Sequence, residues 1–221
     1  TPLMISSILK HAERNFPEVE MVSVTVDQPR HRQNNKVFAS RCRKLAKALE
    51  SLGAEFGDRI GTLAWNDFRH MELYYAVSGA GMVCHTINPK LFPEQVAYII
   101  NHADDKILFV DVLVVPLLEA LQEHIKKVDC IVVLTDKAHM PDSCLENLVC
   151  YEELLEAQTD SYEWPLFDEN TACGMCYTSG TTGNPKGVVY SHRSTVLHAL
   201  AGALPDVTGA SNMQTSLPVA V

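Results

Sequence analysis

The residues whose types and spacing best suit chemistry lie in one segment, Thr178–Gly187, with the sequence TSGTTGNPKG. It combines hydroxyls, glycines and one cation, contributed by Thr178, Ser179, Gly180, Thr181, Thr182, Gly183, Lys186 and Gly187. Glycines let backbone N–H groups approach a ligand closely, and the hydroxyls and the lysine add further donors. No acidic residue occurs between Thr171 and Pro205, although the whole chain has a net charge of −9. The segment therefore predicts a loop that binds a polyanion such as a triphosphate.

Other interpretations of this loop fit its residues less well. A simple turn needs one or two glycines, and it does not explain why the segment also contains several hydroxyls and a lysine. A Walker A loop has glycine before its lysine and a Mg-binding hydroxyl after it, whereas here Pro185 precedes Lys186 and Gly187 follows it. An ATPase of another kind needs a carboxylate for Mg²⁺ near the loop. None is close in sequence, and Asp111 and Asp136 are the candidates that could approach in space.

The flanking residues predict the elements that position this loop. Thr171–Tyr177 is predicted as a strand that leads into the loop, and Val188–Tyr190 as a short strand that follows it. A helix is expected from Ser191 or His192 to about Ala203. The loop thus connects two strands, unlike a phosphate loop that opens directly into a helix.

Upstream, short apolar runs alternate with helical patterns. The predicted strands are Arg59–Ala64, Met82–Thr86, Lys106–Val110 and Cys130–Leu134, with an earlier half-exposed strand at Glu20–Val26. The predicted helices are Leu3–Arg14, a helix capped by Asn34 that ends near Leu52, Asp67–Ala80 capped by Asn66, Pro93–His102, Val112–Lys127, and a short one near Tyr151–Gln158. Nearly continuous apolar strands indicate burial on both faces. The fold class predicted is α/β, with a layered, mostly parallel sheet and flanking helices.

The composition divides the chain into three parts. Residues 1–136 are predicted to form an N-terminal α/β subdomain, and residues 137–170, which are polar and contain Pro141 and Pro165, a connector. Residues 171–221 are expected to begin a second α/β subdomain that carries the phosphate-binding loop and is truncated.

Charge, hydropathy and cysteine content exclude several classes of protein. A net charge of −9 disfavours binding to nucleic acid. The most apolar run, Ile107–Leu118, contains Asp111 and Pro116 and falls short of the ~20 residues of a transmembrane helix. The seven cysteines are an odd number scattered through apolar segments, and no secretory signal begins the chain, so we expect reduced thiols in a cytoplasmic protein.

The loop sequence YTSGTTGNPKG, Tyr177–Gly187, resembles the phosphate-binding signature of the adenylate-forming (ANL) superfamily. The resemblance extends upstream through Gly57–Ile60, Leu63–Asn66, Cys84–Pro89, Leu91–Gln95 and Tyr98–Asp105, which resemble the medium- and long-chain fatty-acyl-CoA ligase branch, known as AMP-binding enzymes. Methylmercaptopropionate-CoA ligases share that pattern.

This resemblance implies an acid–thiol ligase that uses ATP, Mg²⁺ and coenzyme A. A fatty or other small carboxylic acid attacks the α-phosphate of ATP to give acyl-AMP and pyrophosphate, and the CoA thiol then displaces AMP. By similarity, the residues that bind the β- and γ-phosphates are Thr178, Ser179, Gly180, Thr181, Thr182, Gly183 and Lys186. Thr178 is also the candidate Mg²⁺ ligand. Members of this branch form homodimers, so a homodimer is implied here.

The resemblance further implies that the chain is the N-terminal portion of such a ligase. The main catalytic residues are then expected beyond Val221, and the 221 residues are expected to be inactive alone. A non-catalytic nucleotide-binding or interaction module left by truncation is the alternative. Structural roles are expected for His85 and His192, and core positions for Trp65, Tyr74 and Tyr75.

Overall fold

The computed structural model describes residues 1–28, 30–146, 148–178 and 184–204. Its elements, in chain order, are α1 (Ile5–Asn15), β1 (Glu20–Ser23), β2 (His31–Asn34), α2 (Asn35–Ser51), β3 (Arg59–Leu63), α3 (Phe68–Gly79), β4 (Val83–Thr86), α4 (Pro93–Ala103), β5 (Ile107–Val110), α5 (Val115–Leu121), β6 (Cys130–Val133), β7 (Leu148–Cys150), α6 (Tyr151–Glu156), β8 (Ala172–Thr178), β9 (Lys186–Ser191) and α7 (His192–Gly202). Over these residues, no helix combines the length and apolarity that a membrane crossing requires.

Seven strands form one sheet in the order β7-β6-β5-β3-β4-β8-β9, and β1 and β2 form a separate antiparallel pair. All neighbouring strands of the large sheet run parallel except β8 and β9. The predicted α/β class with a mostly parallel sheet is confirmed.

Helices cover both faces of the central strands, as near-continuous apolar strands require. On one face of the sheet, side chains such as Ile60 and Phe109 pack against α1, α2, α3 and α6. On the other face, α4 and α5 pack against Leu108 and Val133 among others. The sheet therefore lies in the middle of a three-layer arrangement.

Several predicted element bounds are wrong in detail. The first strand ends at Ser23 rather than at Val26, and it pairs with β2, which the sequence did not predict. Asp67, not Asn66, caps α3, because its carboxylate accepts the N–H of His70. Only the middle of the helix predicted over Val112–Lys127 is α-helical, and this part is α5. The segments before and after it, Val112–Val114 and Gln122–His124, are 3₁₀ turns.

The predicted connector and second unit are structurally continuous with the first. Residues 137–170 contribute β7 and α6, and β7 pairs with β6. Strand β8 adds directly to β4 in the same sheet. The strands of all three predicted parts belong to one sheet. The division into subdomains at residues 136 and 170 stays a prediction.

Candidate functional site

The predicted binding loop leaves the sheet at the carboxyl ends of its parallel strands. Strand β8 runs parallel to β4, with Thr86 beside Cys176, so Thr178 emerges at the same edge as the residues that follow β4. In open α/β sheets, ligands bind in the crevice outside the carboxyl ends of the strands. The fold thus places the start of the loop on the side of the sheet where ligands are bound.

Thr178 and Lys186 form the last residue pair of the antiparallel β8–β9 ladder. Both residues are exposed. The ladder therefore holds the threonine hydroxyl and the lysine cation side by side at the two ends of the intervening loop. The other predicted binding residues lie outside the described part of the chain; they are Ser179, Gly180, Thr181, Thr182 and Gly183.

The ammonium group of Lys186 has no ion-pair partner among the residues that the structure describes. The neighbouring chain is also free of acids from Thr171 to Pro205. An exposed cation that no carboxylate neutralises is available to an anionic ligand. The charge, position and exposure of Lys186 fit the polyphosphate-binding role that the sequence predicts.

Behind this pair, the ring of Tyr177 lies across Gly187. These two residues are directly paired in the ladder, and a Cβ at Gly187 would lie 3.3 Å from Tyr177 Cζ. The tyrosine hydroxyl shares a hydrogen bond with His102 Nδ1, 2.6 Å away on α4. A side chain at position 187 would press on this ring, which explains the glycine immediately after Lys186.

A buried histidine–aspartate pair lies on the same side of the sheet. Both oxygens of Asp105 are 2.8 Å from His85 Nδ1, and both side chains are fully buried. Burial raises the pKa of the Asp105 carboxyl, and the contact with His85 offsets part of that rise. The ring of His85 lies 5.3 Å from that of Tyr177, centroid to centroid.

The other aromatic and histidine residues that the sequence singles out pack in the protein interior, except Trp65. His192 is fully buried, and its Nδ1 accepts the N–H of Ile5. Tyr74 and Tyr75, both residues of α3, are partly buried and pack against the core. The expected core position of Trp65 is wrong, because this ring is 43% exposed, beneath the ammonium group of Lys90 at 5.7 Å.

The two carboxylates considered for Mg²⁺ cap short turns. Asp111 accepts the N–H of Leu113, and Asp136 accepts the N–H of His139. In the described part of the chain, one group of metal-binding type forms, from Asp27, Asp136 and His139. Asp27 is already bonded to Arg69, which makes this group a poor cation site. The role of Thr178 as a Mg²⁺ ligand stays a prediction.

The sequence did not predict the contacts that hold Tyr177. His102 and Tyr177 are 75 positions apart, and His85 and Asp105 are 20 apart. Only the order and register of the strands bring them together. Of the seven cysteines, six are buried or partly buried, and Cys144 is exposed.

An open, mostly parallel sheet with a glycine- and hydroxyl-rich loop at its carboxyl edge is typical of α/β proteins that bind phosphorylated ligands. The family model described as AMP-binding enzyme matches residues 9–220 of this chain, which therefore belongs to that family.

Named relatives are similar along nearly the whole chain. A 3-methylmercaptopropionyl-CoA ligase of Ruegeria lacuscaerulensis is 50% identical over 218 residues, which cover 99% of this chain and 40% of the relative. A medium-chain-fatty-acid–CoA ligase of Ectopseudomonas oleovorans is 48% identical over 98% of this chain and 40% of its own length. A long-chain-fatty-acid–CoA ligase of Thermus thermophilus is 44% identical over 98% of this chain. The chain thus spans about 40% of the length of these relatives.

Solved structures share the fold at lower identity. An anthranilate CoA ligase in complex with anthranoyl-AMP superposes with a TM-score of 0.77 at 24% identity, over 90% of this chain and 37% of that one. The N-terminal domain of FACL13 from Mycobacterium tuberculosis gives a TM-score of 0.72 at 21% identity, over 96% of this chain and 48% of that one.

Proposed function

We propose that this chain is the N-terminal portion of an ATP-dependent fatty-acyl-CoA ligase and supplies its polyphosphate-binding loop. The observation that carries the proposal is the pairing of exposed Thr178 with exposed Lys186 at the carboxyl edge of the sheet. Membership of the AMP-binding enzyme family and the names of the similar ligases support it.

In the proposed reaction, a carboxylate attacks the α-phosphate of ATP, which releases pyrophosphate and leaves acyl-AMP. The thiol of coenzyme A then displaces AMP and forms the thioester. Negative charge increases on the departing pyrophosphate, and donors held in place by the β8–β9 ladder stabilise such charge without reorganising. Lys186 would contribute the cation, and Thr178 a hydroxyl for phosphate or for Mg²⁺.

The acid is proposed to be a fatty acid or another small carboxylic acid. The names of the relatives range from a 3-methylmercaptopropionyl-CoA ligase to medium- and long-chain-fatty-acid ligases, so this similarity supports the class and not one chain length. A cytoplasmic location and a homodimer complete the proposal; the free thiols are compatible with a reducing compartment.

Isothermal titration of Mg-ATP into the full-length natural protein tests the binding role. Lys186→Ala should weaken binding about 10- to 100-fold, the value of a charged hydrogen bond. Thr178→Val should weaken it about 2- to 10-fold. Lys126→Ala is the matched control, because Lys126 is an exposed lysine paired with Glu123 away from the loop.

Exchange of labelled pyrophosphate into ATP separates a ligase from a non-catalytic nucleotide-binding module. We expect exchange that depends on a fatty acid and is lost in Lys186→Ala, while the 221 residues alone should give none. Exchange that is absent from the full-length protein with every acid tested, despite tight Mg-ATP binding, would favour the module.

A further inference from the structure

A small polar and aromatic cluster, which we call the Tyr177 clamp, contacts the β8–β9 hairpin next to the predicted phosphate-binding loop. It consists of Tyr177, His102, His85 and Asp105. We propose that this clamp, and in particular the hydrogen bond between His102 and Tyr177, fixes the position of the paired Thr178 and Lys186 for polyphosphate binding. This inference rests on the proposed function and assigns a positioning role to Tyr177 and to three residues far from the loop in sequence.

The first contact of the clamp is directed across β9. Tyr177 immediately precedes Thr178, and its ladder partner Gly187 immediately follows Lys186. Because a Cβ at Gly187 would lie 3.3 Å from Tyr177 Cζ and 3.5 Å from its hydroxyl oxygen, the ring lies close over the backbone of β9. Any movement of the ring is therefore transmitted to both strands one residue away from Thr178 and Lys186.

The second contact joins that ring to α4. His102 lies in the last turn of α4, and its Nδ1 is 2.6 Å from the Tyr177 hydroxyl. The two rings meet edge to face at 5.7 Å, and the imidazole also stacks on Tyr98 at 5.3 Å. The imidazole thus contacts two tyrosine rings, which restricts the position of the ring nitrogen that meets the Tyr177 hydroxyl.

The third contact supports Tyr177 from inside the sheet. Its ring lies 5.3 Å from the ring of His85, whose Nδ1 is held by both oxygens of Asp105. Both partners are fully buried, so solvent does not compete for this interaction. The clamp therefore runs from Asp105, two residues before β5, through β4 and β8, to the end of α4.

None of the four side chains is among the predicted phosphate-binding residues, so we assign them no direct contact with the ligand. Their common effect is to restrict the last residues of β8 and the first of β9. Groups that bind a transferring phosphoryl chain gain from being fixed before the ligand arrives. His102 is accordingly a positioning residue that acts through Tyr177.

The test uses inorganic triphosphate as the probe, measured by calorimetry on the full-length natural protein in the presence of Mg²⁺. His102→Leu and Tyr177→Phe each remove the hydrogen bond and should raise the Kd about 2- to 10-fold. The double variant should match either single one, because the two residues contribute a single interaction. His102→Asn should restore wild-type affinity, since its amide can donate to or accept from the tyrosine hydroxyl.

A second measurement reports on the β8–β9 hairpin in the absence of ligand. Hydrogen exchange at the amides of Tyr177, Thr178 and Gly187 should accelerate in His102→Leu, while the midpoint of thermal unfolding changes little because His102 is exposed. His124→Leu is the matched control, an exposed histidine near the same end of the helical layer, and it should change neither readout.

The outcomes separate this inference from the proposed function. Triphosphate affinity in His102→Leu equal to that of the wild type overturns the inference alone, and so do independent, multiplicative effects in the double variant. A wild-type protein that binds no triphosphate overturns the proposed function and the inference together. Failure of His102→Asn to restore the affinity shows that the imidazole ring, rather than the hydrogen bond, is needed, and also overturns the inference.

Discussion

Gly61 and Asp105 lie against each other in the middle of the sheet, and the missing side chain at Gly61 makes room for the carboxylate. A Cβ at position 61 would lie 3.0 Å from Asp105 Oδ2 and 2.5 Å from Leu108 Cδ2. Gly61 is paired with His85 on one side and with Leu108 on the other. The Asp105 carboxylate therefore reaches His85 by passing over β3 at Gly61, where no side chain is in the way.

We predict that Gly61→Ala lowers the free energy of unfolding by about 1–3 kcal/mol, because overpacking a well-packed core strains its neighbours. Chemical denaturation at neutral pH measures this change. Gly202→Ala is the control, since a Cβ there meets nothing within 4 Å at the end of α7, and the stability of that variant should not fall. Equal stability of Gly61→Ala and wild type would contradict the steric argument.

A second prediction concerns the buried guanidinium of Arg69, which is fully buried and bonded to Asp27 and Glu152. Arg69→Met leaves the buried carboxylate of Asp27 without a cation, and, among the described residues, Glu152 keeps only Arg41. The loss should be about 3–5 kcal/mol in the free energy of unfolding. The exposed pair of Arg32 with Glu20 offers the comparison, and Arg32→Met should change stability by less than about 1 kcal/mol.

A third prediction concerns the pH dependence of stability. Burial lowers the pKa of His192 to about 4, so this imidazole stays neutral in the folded chain while the unfolded chain takes up a proton near pH 6.5. Since the unfolded state binds more protons between these values, stability falls as the pH drops from about 6.5 to about 4. The contribution of His192 to this fall should be about 2–3 kcal/mol.

Denaturation curves at pH 7 and pH 5 measure this effect. In His192→Gln, which cannot take up the proton, the difference between the two curves should shrink. His198→Gln, on the exposed side of the same helix, should keep the wild-type difference. An undiminished pH dependence in His192→Gln would show that other groups cause the fall.

A fourth prediction follows from the apolar surface of β9 and α7. Val189 is 57% exposed and Leu200 is 58% exposed, and in the described residues β9 pairs only with β8. Exposed sheet edges and apolar patches promote association. Val189→Lys should therefore increase the monomeric fraction of the 221-residue chain in light scattering. Leu166→Lys, which removes an even more exposed apolar side chain from a loop, should not.

Much of the sheet could be predicted from the sequence because its central strands are almost wholly apolar. Val110 and Val133, for example, end strands whose every residue is buried, and such runs have few alternatives to a two-sided sheet. Strand β2, with the sequence HRQN, has no apolar pattern at all. Its place depends on pairing with β1 and on buried Gln33, which lies near the carboxylate of Glu72.

The length of α5 also depends on the rest of the fold. Residues 122–127 suit a helix by composition, but the chain must return to β6, which begins at Cys130. The last turn therefore tightens into a 3₁₀ segment, and Ile125 turns into the core. Local sequence contains no signal for this, because the constraint comes from the neighbouring strand.

The candidate site was predictable only at the ends of its loop. Thr178 and Lys186 are recognisable from the composition of their segment, which concentrates donors and excludes acids. The contact between His102 and Tyr177 depends on α4 crossing from β4 to β5 beside β8, and no local pattern in either segment reveals that.

The two strands that flank the proposed phosphate-binding loop differ in their support from the sheet. Thr178 ends a strand that lies between β4 and β9, whereas Lys186 begins a strand that, in the part of the chain described, is bonded to β8 alone. The β4 ladder reaches Cys176, two residues before Thr178, so β8 is bonded on both edges up to that point while β9, among the described residues, is bonded on one. In the proposed ligase, the strand that begins at Lys186 is therefore the one expected to shift when ligands of different size bind.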